Sequence, residues 1–257
     1  VMVELRSEEE ALLSKLRTVD PDAYDAYLKG QYHWNQFTQE DVQKAWDYFQ
    51  LAIDIDPDWA DPYAGMAMTW MFVGYFGMVP QNMATPKIKL YLDDALKLDP
   101  NSAYAHYVKA VTTVWIEWNW EDGEKEFKRS LELNSNNALC RLYYAHLLTC
   151  LRRHDEASIQ ANLGLELDPL EPVVLGLYGV VMLDIGDYPS AVEHLEKSHS
   201  INPEFGFTSF HLLREYRWAQ QYDDWIKLWK QLSCWDEEHK MSVEKTLNEQ
   251  GYVAAVK

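Results

Sequence analysis

The chain has 257 residues, of which 47% are apolar, and 41 Asp and Glu stand against 23 Lys and Arg for a formal net charge of −18. That apolar share supports a packed core and argues against a disordered chain. The acid excess, with no Lys/Arg cluster to offset it, repels phosphate backbones and anionic lipid. Nucleic acid and direct membrane contact are therefore not expected of this segment.

Eleven Trp, 16 Tyr and 8 Phe are many for a helical protein. They point to large rings wedged between helices or lining a groove. Cys140, Cys150 and Cys234 form no CxxC and no Cys/His ligand spacing. The first two share one predicted helix about 15 Å apart, too far for a disulfide. Sparse cysteines fit a reducing compartment. The expected location is the cytoplasm, or the periplasm for a membrane-tethered parent. No run of 18 apolar residues is present, so no membrane span is expected. The start, VMVELRSEEE, lacks a signal-peptide layout and reads as a cut through a longer chain.

Apolar residues at helical spacing predict helices along the whole chain, and no segment alternates like a strand. A helix over 7–17 serves as a cap or as the remnant of an upstream domain. Helices over 21–34 and 40–55 close on AIDIDPD (52–58). Those over 59–75 and 86–98 close on ALKLDPN (95–101), with GYFGMVPQNMATPK (74–87) as a long loop between them. Helices over 102–117 and 121–133 close on SLELNSN (130–136), and those over 137–151 and 155–167 close on GLELDPL (164–170). Helices over 171–184 and 188–200 close on SHSINPE (198–204). The pattern then decays through 204–219, 221–233 and 236–249, where Trp225 and Trp229 replace the expected small and bulky residues.

The punctuating residues Pro57, Pro100, Ser135, Pro169 and Pro203 are spaced by 43, 35, 34 and 34. A period of 34 closing on Pro matches the tetratricopeptide repeat. The physics is local: Asp or Asn caps the helix end, and Pro cannot continue it. Small residues recur in the first helix of each pair as Ala67, Ala110, Ala145 and Gly179, and in the second as Ala45, Ala157 and Ala191. Phe49 and Leu195 stand four residues after Ala45 and Ala191, and Phe127 holds the same bulky place in its own unit. Small residues let helices approach, and a bulky one fills the gap beside them.

The chain thus resembles the tetratricopeptide repeat family. AYDAYLKGQYHWNQFT (23–38), AWDYFQLAIDIDPDWADPYAGMA (45–67), WNWEDGEKEF (118–127) and LNEQGYVAA (247–255) make it similar to one group within that family. Such regions lie C-terminal to cyclase, Ser/Thr kinase or winged-helix regulator domains in prokaryotic signalling proteins. The resemblance implies an all-α, right-handed α-solenoid of about six helix-hairpin repeats plus terminal helices. It places a capping helix or upstream remnant at 1–20, the array at 21–203, and a degenerate repeat with capping helices at 204–257.

By that family's geometry, positions 2, 5, 9 and 12 of each unit face a concave groove. These are Ala64, Met68 and Met71; Tyr104, Tyr107, Val111 and Val114; Leu139, Leu142, His146 and Thr149; Val173, Gly176, Val180 and Leu183; and Phe207, Phe210, Arg214 and Arg217. The cations with which related repeats clamp a C-terminal carboxylate are absent from positions 5 and 9 of the second to fifth units. The expected partner site is an apolar, aromatic groove lined by Tyr104, Tyr107, Val111, Leu142, Tyr143, His146, Phe210 and Arg214, with Trp115, Trp118 and Trp120 as a second patch.

No GxxxxGK[ST], GxSxG, HExxH or GxGxxG motif occurs. His194 and His199 are five apart, off the i,i+4 spacing of a helical metal pair. His106 and His146 read as packed or surface histidines. No metal, no cofactor and no catalytic residue are expected, and the segment is not expected to be an enzyme. The expected function is a protein-interaction or regulatory module of a larger signalling or transcription-regulatory protein, with a protein or peptide as partner, including a second copy of itself. A small-molecule sensor and a homo-oligomerisation scaffold are the alternatives.

Overall fold

The computed structural model describes residues 18–36, 38–232 and 237–251. The helix expected over 7–17, Cys234 and the end of the tail lie outside them. The chain divides into two compact units, one ending at Val108 and one starting at Lys109.

The described residues are helical and contain no strand. The helices are α1 (Pro21–Trp34), α2 (Gln39–Ile55), α3 (Ala60–Tyr75), α4 (Gln81–Leu98), α5 (Ala103–Trp115), α6 (Trp120–Leu133), α7 (Ala138–Cys150), α8 (His154–Leu167), α9 (Pro172–Ile185), α10 (Tyr188–Ile201), α11 (Gly206–Trp218), α12 (Tyr222–Gln231) and α13 (Glu237–Gln250). Consecutive helices pair as hairpins. In the first unit α1 packs on α2 and α3 on α4; in the second, α7 packs on α8, α9 on α10 and α11 on α12.

The helix ends repeat one device. Asp56, Asp99, Asn134, Asp168 and Asn202 cap the second helices with φ between −146° and −132° and ψ between 77° and 99°. Each donates its backbone N–H to a carbonyl four residues back, on Ala52, Ala95, Ser130, Gly164 and Ser198, all of them buried. The side chains of Asp99, Asn134 and Asn202 then accept the N–H two residues on, at 2.9, 3.0 and 3.2 Å. That Asx turn carries the chain past the proline position into the next helix. Asp20 makes the same bond to Asp22 at 2.9 Å, so Asp20-Pro21 opens the array with the same motif.

First helices also end alike. Gly77, Trp118, Arg152, Gly186 and Gln220 adopt φ of 71°, 57°, 58°, 92° and 59°. The next residue donates its N–H to a carbonyl five residues back in Met78 to Val73, Arg153 to Leu148, Asp187 to Met182 and Gln221 to Tyr216, and six back in Asn119 to Thr113. This left-handed stop closes helices generally.

The core follows the small-and-bulky pattern. Ala45, Ala67, Ala110, Ala145, Ala157, Ala191, Phe127 and Leu195 are wholly buried. The Phe49 ring lies where a Cβ on Gly30 or Gly65 would come within 2.6 and 2.9 Å of it. Glycine at both positions lets one ring fill the space between two first helices.

One expected boundary is corrected. The 74–87 segment is not loop throughout, because α4 begins at Gln81 and runs through Pro86. Pro80 stands at its N-cap, where a missing N–H costs nothing. Pro86 lies in the second turn, and Thr85 returns a hydroxyl to the Gln81 carbonyl at 2.9 Å. The insertion therefore lengthens the helix and leaves a short turn at 76–80.

Candidate functional site

Three first helices supply the aromatic face of the first unit. Tyr24, Tyr27 and Gln31 share one face of α1 by their i, i+3, i+7 spacing. Tyr24 and Tyr27 approach Trp59, just before α3, at ring-centroid distances of 5.9 and 4.7 Å. Tyr27 also meets the edge of Tyr104 at 6.3 Å, and Tyr104 meets Tyr107 at 6.0 Å. The Gln31 amide donates to the Tyr27 hydroxyl at 3.0 Å. Asp61 accepts from the Ser102 hydroxyl at 2.7 Å. Burial raises the Asp61 carboxyl above its usual range, against the lowering effect of that hydrogen bond. Burial likewise raises the Tyr104 phenol. In the same unit the α3–α4 turn exposes Tyr75, Phe76, Met78 and Met83.

The second unit carries a different set. Trp115 stacks on His146 at 5.5 Å and meets Tyr143 edge-on at 5.6 Å. His146 Nε2 lies 3.6 Å from Asp184, which also accepts from the Thr149 hydroxyl at 3.1 Å. Burial lowers the His146 pKa, and Asp184 opposes that shift. On α11, His211 packs against Phe207 at 4.6 Å, with its Nδ1 buried and without a hydrogen-bond partner. Burial first, then Arg214 and His146, push His211 down to about 4. Beyond it, α11 and α12 frame an open cavity of about 850 Å³, with Phe210, Arg214, Arg217, Trp218, Tyr222 and Trp225 on its wall.

Comparisons with known proteins agree with this architecture. No family model matches the chain. The transcriptional regulator HilA of Salmonella typhimurium is 25% identical over 182 residues, covering 70% of this chain and 32% of HilA. The type IV pilus assembly protein PilF of Pseudomonas aeruginosa is 33% identical over 149 residues, covering 54% of this chain and 58% of PilF. The chain thus spans about a third of one relative and somewhat over half of the other. The solved structure of P. aeruginosa PilF superposes with a TM-score of 0.55 at 22% identity, over 76% of this chain and 88% of PilF. A human IFIT1 dimer solved with m7Gppp-AAAA superposes with a TM-score of 0.67 at 17% identity, over 97% of this chain and 63% of IFIT1. The chain folds as a tetratricopeptide array.

Within that array the expected groove residues separate by burial. Tyr107, Val111 and Leu142 are 4%, 1% and 0% exposed. Side chains buried to this degree fill space between helices. Leu142 shows the reason, since its Cγ stands 3.0 Å from where a Cβ on Gly164 would be. Tyr104, Tyr143 and His146 are half-buried, whereas Phe210 and Arg214 are exposed. Of the Trp patch, Trp118 is exposed at the left-handed turn, and Trp115 packs its ring on Phe127 at 6.2 Å.

Trp218 and Tyr222, which join Phe210 and the two arginines around the cavity, are absent from the expected set. Their signal lies in REYRWAQQYDDW (214–225), where four aromatics surround the turn. Reading Trp225 only as a displaced core residue hid it. Among the described residues, no group of three or more His, Cys, Asp or Glu is placed to hold a metal. None of their helices is long and apolar enough to cross a membrane.

Proposed function

We propose that this array is a protein-interaction module of a larger signalling or transcription-regulatory protein, and that it performs no catalytic step itself. The observation that carries the reading is the surface of the second unit. Phe210 and Trp218 are 64% and 79% exposed beside two arginines on the last hairpin. Large exposed rings next to arginine are the side chains that anchor protein interfaces. The likeness to a stretch of HilA, a transcriptional regulator more than twice as long as the match, supports placement inside a larger regulator.

The test is binding of the parent protein's partner to chains carrying Phe210→Ala or Tyr143→Ala. Loss of binding with helical content unchanged supports the reading. Wild-type affinity in both variants contradicts it.

A small-molecule sensor is the second reading, favoured by the first unit. There, Asp61 and Gln31 lie among Tyr27, Trp59 and Tyr104, a setting of few polar groups on aromatic walls that suits a small ligand. A metabolite that raises the melting temperature of the wild-type chain but not of Asp61→Asn supports this reading; the same rise in both chains contradicts it.

A further inference from the structure

We propose that the cavity of the α11–α12 hairpin binds a peptide segment presenting a carboxylate side chain beside an aromatic or aliphatic one. This rests on the interaction reading above and assigns it a pocket and a partner chemistry.

The argument begins with charge. The chain carries −18, and among the described residues ten arginines and lysines form ion pairs with acids. Arg153 and Lys109 sit on Glu124 and Glu126 at 2.8 and 2.6 Å. Arg217 is different: among the described residues its guanidinium has neither an ion-pair nor a hydrogen-bond partner. Arg214, one turn earlier, gives Nε to the buried Glu215 at 3.0 Å. Among the described residues its two terminal amino groups make no further bond. Positions 214 and 217 lie on one helix face, so two guanidinium groups open onto one cavity. A carboxylate is the acceptor whose geometry matches a guanidinium fork.

The rest of the wall is aromatic. Phe210, Trp218, Tyr222 and Trp225 surround the arginines, and Trp225 stacks with Trp229 at 5.9 Å and 9°. Trp229 is buried, so the stack anchors Trp225 to the core and holds its ring in place. Arginines among fixed rings strengthen each charge-assisted bond by displacing water. The volume of about 850 Å³ admits two or three side chains.

The experiment screens a random library of amidated dodecapeptides against the 257-residue chain, its Arg217→Gln variant and its Trp218→Ala variant. Both substitutions lie on exposed side chains, and circular dichroism confirms equal folding. The expected result is enrichment of Asp or Glu adjacent to Trp, Phe or Leu. Arg217→Gln should weaken the selected peptides about tenfold or more, the size of a lost charged hydrogen bond. Changing the acid of a selected peptide to its amide should cost the same in wild type and nothing further in Arg217→Gln.

Apolar peptides with no acid preference, bound equally by Arg217→Gln, overturn this inference and leave the interaction reading standing. Binding of UMP or inorganic phosphate that depends on Arg217, without any acidic peptide, also overturns it. A library from which nothing is enriched counts against both readings.

Discussion

A Cβ on Gly179 would stand 2.6 Å from Cγ of Leu195, and Leu195 is wholly buried. This contact joins α9 to α10 where the repeat requires one small and one bulky residue. Ala191, whose carbonyl lies 3.1 Å from the same point, closes the other side. Gly179→Ala is therefore expected to destabilise the chain by about 1–2 kcal/mol, the overpacking cost exceeding the helix propensity gained. Gly206→Ala, where a Cβ meets nothing within 4 Å, is the neutral control. Thermal unfolding followed by helical circular dichroism measures both. In Gly179→Ala with Leu195→Ala the two penalties should sum to less than their separate values, because they share one contact.

Glu124 is the polar counterpart of that packing. Arg153 donates to both its oxygens at 2.8 and 2.9 Å, the Tyr144 hydroxyl donates at 2.9 Å, and Lys128 lies 2.7 Å away. Burial alone would raise this carboxyl, but the hydrogen bonds outweigh it and hold it at about 2. A depressed carboxylate contributes stability above its unfolded pKa, and that contribution is lost as pH falls toward 2. Glu124→Gln should cost about 1–3 kcal/mol at neutral pH and flatten the acid limb of the stability curve below pH 4.5. An unchanged acid limb counts against the cluster as described.

His211 sets a second pH window. Its folded value is about 4, against an ordinary value of 6.5. The unfolded chain takes up the proton first, so stability falls as pH drops from 6.5 to 4 and levels off below that. His211→Gln should remove this part of the slope, and urea unfolding at half-unit pH steps between 4 and 7 measures it. A slope identical in both proteins contradicts the buried, partnerless Nδ1.

The repeat was legible in the sequence because its closings are local chemistry. An Asp or Asn that turns the chain before a proline is readable without tertiary information; four such residues, and Asn134 before Ser135, cap helices with nearly the same backbone angles. Asp20-Pro21 carries the same signal as Asp56-Pro57 and was overlooked only because no earlier repeat frames it. The start of α4 was misread because proline ends helices in their interior but is tolerated at their beginning. Pro80 falls at that beginning, at the N-cap, whereas Pro86 lies inside the helix, in its second turn.

The site was less legible. The family's repeat geometry gives Tyr107, Val111, Leu142 and His146 as groove positions. It does not say how far the neighbouring helices cover that face. Only packed coordinates separate the edge that is covered from the edge that stays open. Among the described residues the last hairpin is open, and the departure of its aromatics from the repeat consensus was the available signal.

The central claim is that a partner docks on the first-helix face of the second unit. Photo-crosslinking tests it directly, with a photoreactive phenylalanine replacing Phe210 in the full-length protein and, as control, Ile159, which is 58% exposed on the second helix α8. The account predicts a crosslinked partner at 210, reduced by Arg217→Gln, and none at 159. Equal crosslinking at both positions, or crosslinking at 159 alone, would contradict it.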